Sequence, residues 1–139
     1  MLAQNFKTAA DLGIKDVELD ALIKVLGMLE RGEIDATHFN MQSFLRQADC
    51  GTVGCICGWA NHISRGRAFS EIGTRDELEL FRRLSRSARL LFAMTSHEDD
   101  LAMERQNNAV QDRAQPEHAA IALRSYLTTG DANWAEALA

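Results

Sequence analysis

The chain has 139 residues, of which 46% are hydrophobic and 25% charged, with a single proline. That composition supports one domain with one core and excludes global disorder. A formal net charge of -5 and a pI near 5.3 exclude an unspecific polyanion binder that works by displacing counterions. No apolar run approaches the ~20 residues of a membrane span, and Met1–Lys7 lacks the charged-then-apolar order of a signal peptide. A cytoplasmic protein is expected. Three cysteines, an odd number, argue for reduced thiols rather than a disulfide framework.

Residues 1–14 read as a loosely ordered N-terminal arm of the same domain. Val17, Leu19, Leu22, Ile23, Leu26 and Leu29 then recur at helical spacing, with Lys15, Asp16, Glu18, Asp20, Lys24 and Glu30 on the other side. This predicts an amphipathic helix ending at Arg31-Gly32. Asn40 is a suitable N-cap for a short helix carrying Met41, Phe44, Leu45 and Ala48 at i, i+3, i+4 and i+7. Gly51 and Gly54 predict a tight loop, after which a helix from Cys55 to about Arg65 turns Ile56, Trp59, Ala60 and Ile63 inward.

Thr74 and Glu77 form a capping box for a long helix to about Met94, with Leu78, Phe81, Leu84, Ala88, Leu91 and Phe92 as its buried stripe. Ser96 and Asp99 offer a second cap, for a more polar helix through Leu101, Ala102, Ala109 and Val110. Pro116 opens a helix that buries Ala119, Ala120, Leu123, Tyr126 and Leu127 and ends at Gly130. Asp131 caps a last turn around Trp134 and Leu138. Without sustained period-two alternation, the expected fold is all-α, a single compact domain of five to seven helices.

Phe39-Asn40-Met41 followed by Cys50-Gly51-Thr52-Val53-Gly54-Cys55-Ile56-Cys57-Gly58-Trp59-Ala60 resembles a signature of small bacterial and phage-encoded proteins of unassigned function. In them Phe-Asn-Met precedes Cys-Gly-Thr-x-x-Cys-x-x-Gly-Trp-Ala. The stretch from Pro116 through Tyr126-Leu127-Thr128-Thr129-Gly130 to Trp134 is similar to the end of such proteins, whereas the middle of the chain is unmatched. Phe44 stands where that pattern has a tryptophan, and Cys57 where it has a small residue. The resemblance implies an accessory role, such as inhibiting a host defence protein, and no particular chemistry.

Cys50, Cys55 and His62, with His38, have the atoms of a zinc site. Their spacing opposes it: Cys55 and Cys57 are 200° apart on a helix, and His62 lies about 10 Å along the axis from Cys55. A second reading makes Cys55 a reactive thiol at a helix N-terminus, with Cys50 as resolving partner. The favoured reading is packing, with Cys50, Cys55, Gly58 and Trp59 as a structural staple. Gly51, Thr52 and Gly54 before a helix could cradle an anion, but a Walker loop needs Gly-Lys-Ser/Thr.

Arg82, Arg86 and Arg89 at i, i+4 and i+7, with Arg83 beside them, predict a basic helix face that Arg65 and Arg67 extend. Glu79, Glu77 and Asp76 a turn earlier offer local ion pairs instead. His97-Glu98-Asp99-Asp100 reads as helix capping rather than a cation site. No catalytic signature emerges and no cofactor is expected. The sequence therefore points to a binding protein whose partner is first another protein, second a small anionic nucleotide-like ligand, and less readily nucleic acid. A thiol- or zinc-dependent regulator using Cys50 and Cys55 is the alternative.

Overall fold

The computed structural model describes residues 5–41, 45–48, 51–69, 83–94 and 101–139. The fold is all-α. Among the described residues its helices are α1 (Ala9–Leu12), α2 (Asp16–Glu30), α3 (Ile56–Ile63), α4 (Arg86–Leu91), α5 (Leu101–Arg113), α6 (Pro116–Thr129) and α7 (Trp134–Ala137). One short antiparallel hairpin, β1 (Leu45–Ala48) and β2 (Gly51–Gly54), precedes α3.

Of the predicted stripe of α2, Leu22, Leu26 and Leu29 are buried, whereas Val17, Leu19 and Ile23 are only partly so; the buried face is rotated to take in Ala21 and Val25 and forms the centre of the core. Ala21, Leu22, Val25, Leu26 and Leu29 are buried and pack against α3 and α6, each large side chain contributing about 1.5–3 kcal/mol of transfer free energy. Arg31 closes the helix and Gly32, at φ 74°, turns the chain out of it. α6 also follows its sequence signals. Pro116 stands in its first turn, Ala119, Leu123, Tyr126 and Leu127 face inward, and Gly130 at φ 86° is the C-cap. α5 orders its polar sequence by burying Met103, Asn107 and Val110, while Leu101 and Ala102 face solvent.

Residues 5–14 are not a loose arm. Thr8 and Asp11 form a reciprocal capping box, Ala9, Leu12 and Ile14 are buried, and the Lys7 amide donates to the Leu127 carbonyl at 2.7 Å. The box uses Asp where Glu is usual, but satisfies the same two amides.

Two helices expected from local pattern are replaced. Leu45–Ala48, predicted as the end of a short helix, is β1, paired from Leu45↔Gly54 to Ala48↔Gly51. The predicted glycine loop is β2. Gly54 donates its amide to the His38 carbonyl and accepts from the Asn40 amide, so a parallel bridge fixes residues 38–40 alongside the hairpin. Thr52 and Val53 suit a strand, and pairing with a distant segment overrides the weak helical spacing. The predicted helix to Met94 is interrupted at Leu84–Ser85, and its start at Thr74 lies outside the described residues. Ser85 is extended (φ -66°, ψ 163°) and its hydroxyl caps the Ala88 amide, so α4 begins afresh.

Glu18, placed by sequence on the solvent side of α2, is completely buried. Its carboxylate accepts from the Lys15 and Phe69 amides at 2.9 and 3.0 Å and from both terminal nitrogens of Arg83 at 3.0 and 2.7 Å. Burial alone would push this carboxyl up, but the Arg83 fork and the two amides outweigh it and hold the pKa below the ordinary glutamate value. Its stabilising contribution is therefore complete above the unfolded glutamate pKa and is lost as pH falls through the lowered folded value. Glu18→Ala should cost about 2–3 kcal/mol in urea unfolding at neutral pH, less than a fully buried pair because Arg83 is 27% exposed. The gap between wild type and Glu18→Gln should shrink on acidification below about pH 4. A gap that does not change with pH would show that the charge is not what holds these segments.

Candidate functional site

Of the predicted arginine face, Arg65, Arg67, Arg83, Arg86 and Arg89 are among the described residues. Arg83 turns inward to Glu18, since a bidentate guanidinium is the group best able to satisfy a buried carboxylate. Arg82 lies outside the described residues. Arg86 is exposed in the first turn of α4, and Arg89 is half-buried in its last. Arg65 and Arg67 are exposed in the turn after α3, Arg65 at φ 60° and Arg67 donating Nε to the Ser64 carbonyl at 3.0 Å.

What α4 does supply is one wall of a groove. Arg86 and Leu90, a turn apart, face Ala102, Met103 and Gln106 of α5 across a cleft of about 200 Å³. Leu101 begins α5 beside it and is 59% exposed, and Arg105 is exposed on the same helix. Both walls are pinned by side-chain bonds to backbone. Asn107 Nδ2 donates to the Met94 carbonyl at 3.2 Å, and Gln111 Nε2 to the Ala93 carbonyl at 2.9 Å. The Trp134 indole N–H is shared between the Leu90 and Leu91 carbonyls at 3.0 and 3.2 Å. Such bonds add to the backbone bonds at the carbonyl end of α4 and set its distance from α5 and α7.

The cysteine region is a packed unit. Cys55 is the N-cap of α3, its Sγ accepting from the Gly58 amide at 3.4 Å, and both Cys55 and Cys57 are buried. Burial pushes the Cys55 thiol up, against the lowering expected at a helix start, because the protein around it disfavours a thiolate more than the nearby amides favour one. Cys50 lies outside the described residues. Trp59 is buried and donates Nε1 to the His38 carbonyl at 2.9 Å, which joins residues 38–41 to β2 and α3. The two separated halves of the cysteine signature are thus one structural unit.

The imidazoles point elsewhere. His62 is exposed, edge-on to Trp59 at 5.5 Å, and His38 Nδ1 lies 2.6 Å from Asp35 Oδ1. The Thr37 hydroxyl and His38 ring hold Asp35 down to about 2. Among the described residues no three His, Cys, Asp or Glu side chains come together as a metal site. Gly51, Thr52 and Gly54 are strand residues rather than an anion cradle, with Gly54 bonded through both its amide and its carbonyl. His97-Glu98-Asp99-Asp100 lies outside the described residues.

Comparison with known proteins adds no relative. No protein-family model matches the chain, and neither a curated protein nor a solved structure matches it. Among the described residues no helix is long and apolar enough to cross a membrane.

Glu18 and Asn107 were the residues that sequence reasoning placed wrongly or passed over, yet each has a signal. Glu18 is in phase with Leu22, Val25 and Leu29, and Asn107 with Met103 and Val110. A polar side chain in phase with an apolar stripe is a candidate buried hydrogen-bonding group.

The thiol geometry has a direct check. In native protein treated with iodoacetamide at neutral pH, peptide mapping should find Cys55 and Cys57 unmodified, and both labelled once denaturant is present. Rapid native labelling of Cys55 would restore the reactive-thiol reading.

Proposed function

We propose that the chain is a non-catalytic helical binding protein that holds a protein partner in the groove between α4 and α5. The observation that carries this reading is Leu101, a large apolar side chain left 59% exposed beside a cleft with Met103 buried in its wall and Arg86 across it. Scattered exposed leucines are ordinary, but one that borders a partly apolar groove adds contact area where a partner would sit. Covering it would contribute on the order of 1–2 kcal/mol. Arg86 and Arg105 favour a partner segment that presents a carboxylate next to an apolar side chain. At an exposed rim this charge selects the partner and its orientation more than it adds affinity.

The net charge of -5 weighs against nucleic acid as that partner. A nucleotide-like anion is the weaker reading, because Arg83 is committed to Glu18 and the glycine segment is a strand. The resemblance to small phage-encoded proteins supports an accessory role in a cell's cytoplasm, with inhibition of a host defence protein as the working assignment.

The test places a photo-crosslinking residue at Ala102 and illuminates living cells of the source organism. A discrete adduct is expected, identified by mass spectrometry. Arg86→Glu with Leu101→Asp should reduce it at least about tenfold, the size of a modest interface hot spot, while circular dichroism stays unchanged. No adduct, or one indifferent to the double variant, would overturn the groove as the binding surface.

A further inference from the structure

A second cleft, on a different part of the surface, has a buried polar group in its wall that no other described residue uses. About 220 Å³ in volume, it is lined by the α1 turn (Ala10 to Gly13), by Ser85 and Ser87 at the start of α4, and by Tyr126 and Gly130 of α6. Tyr126 is completely buried, and its hydroxyl has no hydrogen-bond partner among the described residues. Burial and the negative field of Glu18 push this phenol up to about 12, so it stays a neutral donor at physiological pH. A buried hydroxyl without a partner is unfavourable, and a ligand that supplies one gains that hydrogen bond. Buried hydroxyls of tyrosine ordinarily have one.

We propose that this cleft binds a small uncharged polyhydroxylated molecule, one of whose hydroxyls accepts a hydrogen bond from Tyr126. The volume corresponds to roughly seven waters at about 30 Å³ each, the size of a three- to six-carbon polyol or sugar. The lining presents both signs of partial charge, which suits a neutral ligand with several hydroxyls. Asp11 and the carbonyl ends of α1 and α6, at Gly13 and Gly130, meet the amide end of α4 at Ser85, so the cleft offers acceptors and donors side by side rather than one sign of charge. None of the lining side chains is cationic. Lys7 runs its methylene stem beside Gly130 without lining the cleft. Asp11 accepts from the Thr8 amide in the capping box and keeps lone pairs that can accept from a ligand hydroxyl. Ser85 accepts from the Ala88 amide, so its hydroxyl is oriented to donate outward. Hydroxyls, which donate and accept from one atom, match such alternating groups.

The phenol oxygen itself shows almost no surface, so the ligand reaches it as the wall yields. The wall that yields is α1, a single turn of four residues held by its capping box and by Ala9 and Leu12, and not the long helix α6. Ligand entry and a small outward shift of α1 are one event.

The test is a two-dimensional ¹⁵N–¹H titration of the full chain with glycerol, D-ribose and myo-inositol, and with ethanolamine and inorganic phosphate as charged probes. At least one polyol should give saturable shifts at the Asp11, Gly13, Ser87 and Gly130 amides, with half-saturation at or below about 10 mM, a modest affinity for so few atoms. Tyr126→Phe should keep or raise the thermal midpoint, since it removes an unpaired hydroxyl, and should weaken binding about tenfold, the equivalent of one hydrogen bond. Ser87→Leu, which narrows the opening without touching Tyr126, should weaken binding as well. No saturable shift at those amides, equal affinity in Tyr126→Phe, or a response to the charged probes alone would overturn the proposal.

Discussion

The carboxylate of Glu18 is the constraint on which the rest of the structure depends. An unpaired carboxylate in a protein interior is strongly unfavourable, so its burial requires partners for both oxygens, and here they come from three places in the chain. Lys15 is local, whereas Phe69 and Arg83 are 51 and 65 residues away in sequence. One side chain therefore fixes the start of α2 relative to the end of the α3 turn and the approach to α4. It also holds Phe69 at φ 53°, a conformation that costs a bulky residue roughly 1–3 kcal/mol. The Phe92 ring packs against it at 4.8 Å in an edge-to-face contact that helps offset that cost.

This ion pair also decides what the surface can do. By drawing Arg83 inward it leaves Arg86 as the exposed arginine at the start of α4, and by fixing where α4 begins it lets Ser85 cap a short helix instead of continuing a long one. The two tryptophans act in the same way at other joints. Trp59 ties its helix to the carbonyl of His38, and Trp134 ties α7 to the last carbonyls of α4. In each case a large ring fills the core while its one polar atom adds a hydrogen bond to a backbone carbonyl of a neighbouring segment. The groove between α4 and α5 is held open between such fixed points, which is what a binding surface needs if it is to keep its shape before a partner arrives.

The cysteine and glycine segment shows how chemistry suggested by composition gives way to packing. Thiols and imidazoles lie close together in sequence, but Cys55 faces the core while His62 faces solvent and His38 turns to Asp35. A metal needs its ligands to converge on one point, and a helix start, an exposed helix end and a turn do not converge. The same segment serves the fold instead: Gly54 lets residues 38–40 lie along the hairpin, and Cys55 caps the helix that carries Trp59.

The sequence by itself determined the helical class, the extent of α2, most of the inward residues of α3 and α6, and the caps at Gly32, Pro116 and Gly130. These signals are local, set by 3.6-residue periodicity and by backbone conformations that favour glycine or proline, so they can be read over a dozen residues. Only the tertiary structure decided that Leu45–Ala48 is a strand, that the run before Met94 breaks at Ser85, and that Glu18 and Arg83 meet inside. Each depends on a partner many residues away, whose pairing outweighs a local preference of a few tenths of a kcal/mol per residue. Both clefts belong to the second group, because each is a space between helices that no segment of sequence contains by itself.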